Sequence, residues 1–242
     1  MRYILIALLL VALISGPALA DTFSIAADID DASAAIGSTD VNVYTGYTYT
    51  QFGRYSLGTP TGLWSYNRWA LDLPRASKVT VSHVTYKANA SYAPVFNTTI
   101  DGLSQASSPA WRETGASGGF HTDNYANGSA LNAIGRTSAS VTWTGVAAQT
   151  EGSSYDTPSM NAVMQEMLDS PYYNPLDSEG AYIGIVIDDG SGTYTWPPYM
   201  RQEDSFTGTT PAELDVTITP YGEVMLQGGY RCDVDGLRYY GF

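Results

Sequence analysis

The chain has 242 residues and carries 11 Lys+Arg against 24 Asp+Glu, a formal charge of −13. A field of that sign repels phosphate backbones and anionic headgroups, so it argues against nucleic acid or an acidic membrane as partner. One cysteine, Cys232, excludes an intrachain disulfide and a thiolate zinc site.

Arg2, an apolar run from Tyr3 to Ile14, a Gly16-Pro17 break and Ala18-Leu19-Ala20 together form an export signal, with the small-x-small pattern placing cleavage after Ala20. Twelve apolar residues are too few for a membrane-spanning helix, which needs roughly 20. The expected product is secreted or held at the cell surface, without a membrane span in the mature chain. Its expected organisation is a signal peptide over 1–20, a β-sandwich over 21–219 and an appendage over 220–242.

Beyond the signal, charged residues are sparse while Tyr, Gly, Thr and Ser are abundant, a balance that favours pleated strands and turns. Alternation with period two places Phe23, Ile25, Ala27 and Ile29 on one face. Val41, Val43, Tyr47 and Tyr49 form a second set, and Trp69, Leu71 and Leu73, ended by Pro74, a third. Val79 and Val81 point inward and the phase then shifts to Val84 and Tyr86, which predicts a β-bulge around Ser82-His83. Residues 102–136 are rich in Gly, Ser, Asn and Ala and read as long connections with one or two short strands. Val141 with Trp143 predicts another strand.

Met160, Val163, Met164, Met167 and Leu168 recur at helical spacing, with Thr157 as N-cap, Pro158 at the first helical position and an end near Pro171. Tyr182–Ile187 is apolar on both faces, as a doubly covered central strand requires. Leu214, Val216 and Ile218 alternate with outward Asp215 and Thr217. The sum is an all-β fold: a two-sheet antiparallel, jelly-roll-like sandwich with one short amphipathic helix.

Three segments taken together resemble the DNRLRE or disaggregatase-related β-sandwich domains: Tyr66-Asn67-Arg68-Trp69-Ala70-Leu71-Asp72-Leu73-Pro74 before the strand from Val79; Thr157-Pro158 with Val163-Met164-Gln165-Glu166; and Glu203-Asp204-Ser205-Phe206 with Pro211-Ala212-Glu213-Leu214-Asp215-Val216. The resemblance spans about residues 21–219, and implies a carbohydrate-binding module or surface-protein domain. The appendage after Pro220 has no counterpart in it.

The only histidines, His83 and His121, fit no nucleophile–base–acid spacing, and HExxH, Walker and Rossmann signatures are absent, so the expectation is a protein that is not an enzyme. A carboxylate pair of the glycosidase type is a weaker alternative, because such partners can come from distant strands. Tryptophans in turn-prone sequence mark a glycan-binding set of Trp64, Tyr66, Trp111, Trp196 and Tyr199, whose rings could stack on pyranose C–H faces; core packing is the competing reading for each. Asp28, Asp30, Glu203 and Asp204 offer oxygen ligands suited to a structural Ca²⁺, or are simply solvated acids on turns.

Two functions follow. One is non-catalytic binding of a polysaccharide or surface glycan, with neutral chains preferred because of the charge. The other is a structural or adhesive surface subunit that self-associates by strand addition through residues 220–242.

Overall fold

The computed structural model describes residues 18–26, 30–36, 43–44, 49–57, 59–75, 77–89, 91, 96–106, 109–114, 118–120, 124–146, 148–188, 199–203, 211–220, 223–226, 230–233 and 239–240. It is an all-β sandwich of two antiparallel sheets. The smaller sheet runs in the order β1 (Leu19–Ser24), β12 (Glu213–Pro220), β6 (Ser77–Lys87), β9 (Ser154–Asp156). The larger follows the path β11 (Tyr199–Glu203), β4 (Tyr49–Leu57), β5 (Thr59–Ala70), β10 (Tyr182–Ile187), β7 (Phe96–Leu103), β8 (Arg136–Val146). Off this path, β2 (Asp31–Ile36) pairs with β5 and with β3 (Val43–Tyr44). No helix among the described residues is long and apolar enough to cross a membrane.

Alternation decides which side chains meet between the sheets. From β12, Leu214, Val216 and Ile218 are at most 1% exposed, while Asp215 and Thr217 face outward. From β10, Ile183, Ile185 and Ile187 join the same core, which also takes Trp69, Leu71 and Leu73 as expected. Phe52, Tyr86, Phe96 and Trp143 close one part of it as an aromatic group, with Phe52 6.0–6.2 Å from the other three rings, within the range for tilted and edge contacts.

The predicted helix exists as α2 (Asn161–Leu168), and buries Val163, Met164, Met167 and Leu168. It starts later than Thr157 and Pro158 suggest. Met160 is its N-cap, without a side-chain cap, because Thr157 continues the β9 ladder: its N–H donates to Val84 O and its hydroxyl accepts from Val84 N–H, both at 2.9 Å. In β6 the phase shift also falls earlier than predicted. Thr217 pairs with Val81 and Ile218 with Val79, so Thr80 is the extra residue and Val81 turns outward, 46% exposed.

Both faces of β10 are covered, as its apolar sequence requires. The second cover comes from residues 103–135, whose described part forms a 3₁₀ turn (Pro109–Arg112) and a short helix α1 (Gly128–Asn132) where the sequence predicts short strands. Trp111, Phe120, Tyr125, Leu131 and Ile134 from this segment pack on Ala32, Ala34, Tyr66 and Val186 of the larger sheet. Gly184 permits the approach: a Cβ there would lie 3.0 Å from Trp111 Cζ3 and 2.8 Å from Leu103 Cδ1. Burying aromatic and leucine side chains fully contributes about 1.5–3 kcal/mol apiece, so this cover is part of the fold.

After Pro220, β13 (Glu223–Leu226), β14 (Tyr230–Asp233) and β15 (Tyr239–Tyr240) pair with one another as a three-stranded antiparallel meander. Cys232 sits in β14, opposite Val224 and Tyr239.

Candidate functional site

The cover does not reach across the whole outer face of the larger sheet, and the registers locate its boundary. One row of outward residues runs Ala32, Tyr66, Val186, Asp101, Ser140 across β2, β5, β10, β7 and β8. Its first three members are at most 1% exposed, with Phe120 5.8 Å from the Tyr66 ring. Asp101 is half-buried and Ser140 exposed. The neighbouring row holds Ala34, Trp64, Thr99 and Thr142. Asp188, one residue past β10, continues this row by donating its N–H to Thr99 O at 3.0 Å. Ala34 is fully buried, Trp64 and Thr99 are half-buried and Thr142 is exposed, so along this row the sheet opens to solvent from Trp64 onward.

Arg136 stands where cover and open strip meet. Its guanidinium donates to Ile134 O at 2.9 Å, Asn132 Oδ1 at 3.1 Å and Tyr66 Oη at 3.2 Å. The same group lies 5.5 Å from the ring centres of both Trp64 and Tyr66, close enough for a cation–π attraction. Burial pushes the Tyr66 hydroxyl up to about 12, against the opposing pull of Arg136. Partial burial raises the Asp101 carboxyl above its ordinary range; Arg136 opposes that shift and Asp188 adds to it. The strip thus offers one aromatic face, three hydroxyls (Thr99, Ser140, Thr142), two carboxylates (Asp101, Asp188) and one cation. This set suits a hydroxyl-rich ligand held by hydrogen bonds and ring contact.

The sequence-derived candidates divide sharply. Trp64 lies on this strip. Tyr66 is 0% exposed beneath the 103–135 cover and Trp111 is 0% exposed within it, so their rings are core and do not meet a ligand from solvent. Trp196 lies outside the described residues, and Tyr199 pairs with Gly53 in β11, its side chain outside them. Of the acids, Asp28 and Asp204 lie outside the described residues, and Glu203 pairs with Tyr49 at the end of β11. Asp30 is 2% exposed and its Oδ1 accepts from Arg68 Nε at 2.7 Å. Among the described residues, no three His, Cys, Asp or Glu side chains converge as a metal group.

His83 lies on the opposite sheet, its Nε2 3.4 Å from Asp215 Oδ2. Asp215 also accepts from the hydroxyls of Thr22 and, at 3.4 Å, Thr85. His121 lies outside the described residues.

Sequence reasoning missed Asp101, Thr99 and Arg136. The alternation of Phe96, Thr98 and Ile100 with outward Asn97, Thr99 and Asp101 is the pattern that reveals β7. Nothing local marks Arg136 as lying beside Trp64, since a chain separation of 72 residues is closed only by the sheet.

No protein-family model matches the chain, and no curated protein matches it.

Proposed function

We propose that this chain is an exported, non-catalytic glycan-binding sandwich, a DNRLRE-like module, and that its ligand lies along the open strip of the larger sheet. The observation that carries the reading is Trp64. Among the candidates whose burial is described, Trp64 is half-buried while Tyr66 and Trp111 are fully buried, and it lies on a sheet face beside hydroxyls, carboxylates and a guanidinium. A pyranose stacked there would find hydrogen-bond partners in Thr99, Asp101 and Thr142. At a chain charge of −13, neutral polysaccharide escapes the repulsion that an anionic one meets. A structural Ca²⁺ remains part of the proposal only through side chains outside the described residues.

Affinity electrophoresis against a panel of neutral and anionic polysaccharides, with and without chelator, tests this. The expected result is retardation by a neutral glycan that Trp64→Ala abolishes. Retardation by none, or retardation unchanged in Trp64→Ala, overturns the assignment.

A second reading, a self-associating surface subunit, draws support from the terminal meander. Its outer strands β13 and β15 each pair on one side only among the described residues, which leaves edges open to strand addition. Electron microscopy and sedimentation of the full chain and of a chain ending at Thr219 separate the two. Assemblies lost on truncation favour the subunit; a monomer at high concentration removes it.

A further inference from the structure

Between the end of β7, the start of β8 and the turn that follows α2 lies a cavity of about 110 Å³. Leu103 and Met167, at most 2% exposed, form the apolar part of its wall. None of its lining residues belongs to the open strip around Trp64.

The polar part of the wall is built to accept hydrogen bonds. Gln105 lines the cavity and is 3% exposed; its Nε2 donates to Tyr182 O at 2.9 Å, which fixes the orientation of the amide and leaves Oε1 buried without a partner in the chain. Buried side-chain oxygens rarely stay unpaired, so this one calls for a donor from outside the chain. Glu166 adds a carboxylate whose two oxygens each accept one N–H, from Ser138 and Ala139, and each keep capacity for a further donor. Thr137 has no proton to offer, since its hydroxyl donates to Ala139 O at 2.7 Å. The set favours a ligand that brings donors and disfavours an anion beside Glu166.

Tyr172 belongs to the lining yet is 50% exposed, so it reaches both cavity and solvent. The turn that carries it is held in place: Ser170 O accepts from Arg75 Nη2 at 3.2 Å, Ser170 Oγ from Tyr172 N–H at 3.3 Å, and Tyr173 Oη donates to Leu73 O at 2.7 Å. A pre-positioned aromatic beside buried acceptors suits a ring with apolar C–H faces and hydroxyl edges. At about 110 Å³ the space is well below the roughly 300 Å³ of pockets that enclose a drug-sized ligand, so it takes one end of a molecule.

We propose that this cavity is a second ligand site, which takes the terminal residue of a neutral glycan: its hydroxyls donate to Gln105 Oε1 and Glu166, and its ring lies against Tyr172. The ligand class rests on the glycan reading given above; the site itself does not. The strip binds along a chain and the cavity binds an end, so the two respond to different probes.

The test is saturation-transfer NMR on the full chain with a panel of neutral disaccharides: cellobiose, maltose, lactose and mannobiose. At least one should bind wild type and Trp64→Ala alike, with transfer concentrated on its terminal ring. Gln105→Met, which keeps the shape and removes the acceptor, and Tyr172→Ala, at an exposed position, should each weaken that binding at least tenfold. Should Gln105→Met fail to fold, Tyr172→Ala decides alone. Binding unchanged in Tyr172→Ala, or lost only in Trp64→Ala, overturns the proposal. So does binding of no disaccharide, which leaves the cavity to ordered water only. Retardation by a polysaccharide without disaccharide binding leaves the strip standing and removes the cavity; disaccharide binding in Trp64→Ala without retardation by any polysaccharide does the reverse.

Discussion

Gln165 and Glu166, adjacent on α2, bind strands of opposite sheets: β6, beyond its short pairing with β9, and the edge strand β8. Gln165 Oε1 accepts from Val79 N–H and its Nε2 donates to Ser77 O, both at 2.9 Å, so the amide takes the place of a neighbouring strand on β6. Glu166 accepts from Ser138 N–H at 2.7 Å and Ala139 N–H at 2.8 Å on β8, the last strand of the larger sheet. Asn161 extends the first contact by donating to Thr80 O at 2.8 Å. One helix thereby fixes the two sheets to each other and covers backbone that would otherwise template aggregation.

Each half of this clasp should be measurable. Gln165→Ala leaves one strand N–H and one C=O in need of water and should destabilise by about 1–2 kcal/mol; Glu166→Ala, which removes two charge-assisted bonds at a partly exposed edge, should cost about 1–3 kcal/mol. Urea denaturation reads both as a lower midpoint at unchanged slope.

Arg68 should prove the strongest single pin of the 103–135 cover. Fully buried, it bonds Asp30 at 2.7 Å, Trp111 O and, at 2.9 Å, Glu113 O, with its guanidinium 4.0 Å from the centre of the Tyr182 ring. Arg68→Met removes the cation beside the buried Asp30 carboxylate and should cost about 3–5 kcal/mol. Arg68→Lys keeps the charge but lacks the fork that reaches both carbonyls and the carboxylate. For that variant, limited proteolysis should cut first within 103–135 while the rest of the chain stays resistant.

Asp101 sets a pH dependence of known sign. Its folded carboxyl titrates above the ordinary value of 3.8, with burial as the leading cause. A raised pKa means that the protonated form is favoured by folding, so the contribution is fully present below 3.8 and is lost as pH rises through the folded value. Asp101→Asn, which stays neutral throughout, should therefore gain stability relative to wild type at pH 7. The gain should vanish in denaturation series carried below pH 3.8.

Trp64 and Trp111 should separate binding from folding. Trp111→Ala empties a fully buried site and should destabilise by about 3–5 kcal/mol. Trp64→Ala, at a half-buried position, should lower stability far less yet reduce glycan retardation at least tenfold, with Trp64→Phe intermediate. Equal losses of binding in the two variants, scaling with stability, would show that the ring of Trp64 acts through the fold alone.

Local pattern by itself determined the elements whose surroundings repeat along the chain. The two-sided apolar run of Tyr182–Ile187, the alternation of Leu214, Val216 and Ile218 and the stripe of Val163, Met164, Met167 and Leu168 each demand one geometry, because side-chain period and burial are bound together. Other choices belonged to the tertiary structure. Thr157 satisfies N-cap chemistry as well as a strand edge, and the proximity of Val84 decided for the edge. Val81 reads as a core residue until the bulge is placed, and the pairing with β12 moved that bulge to Thr80. Trp64 and Tyr66 lie two residues apart on one face of β5 and are equivalent in sequence terms. Only the return of residues 103–135 over the sheet buries Tyr66 fully while packing against just part of Trp64; exposure depends on chain many residues away, which no local period encodes.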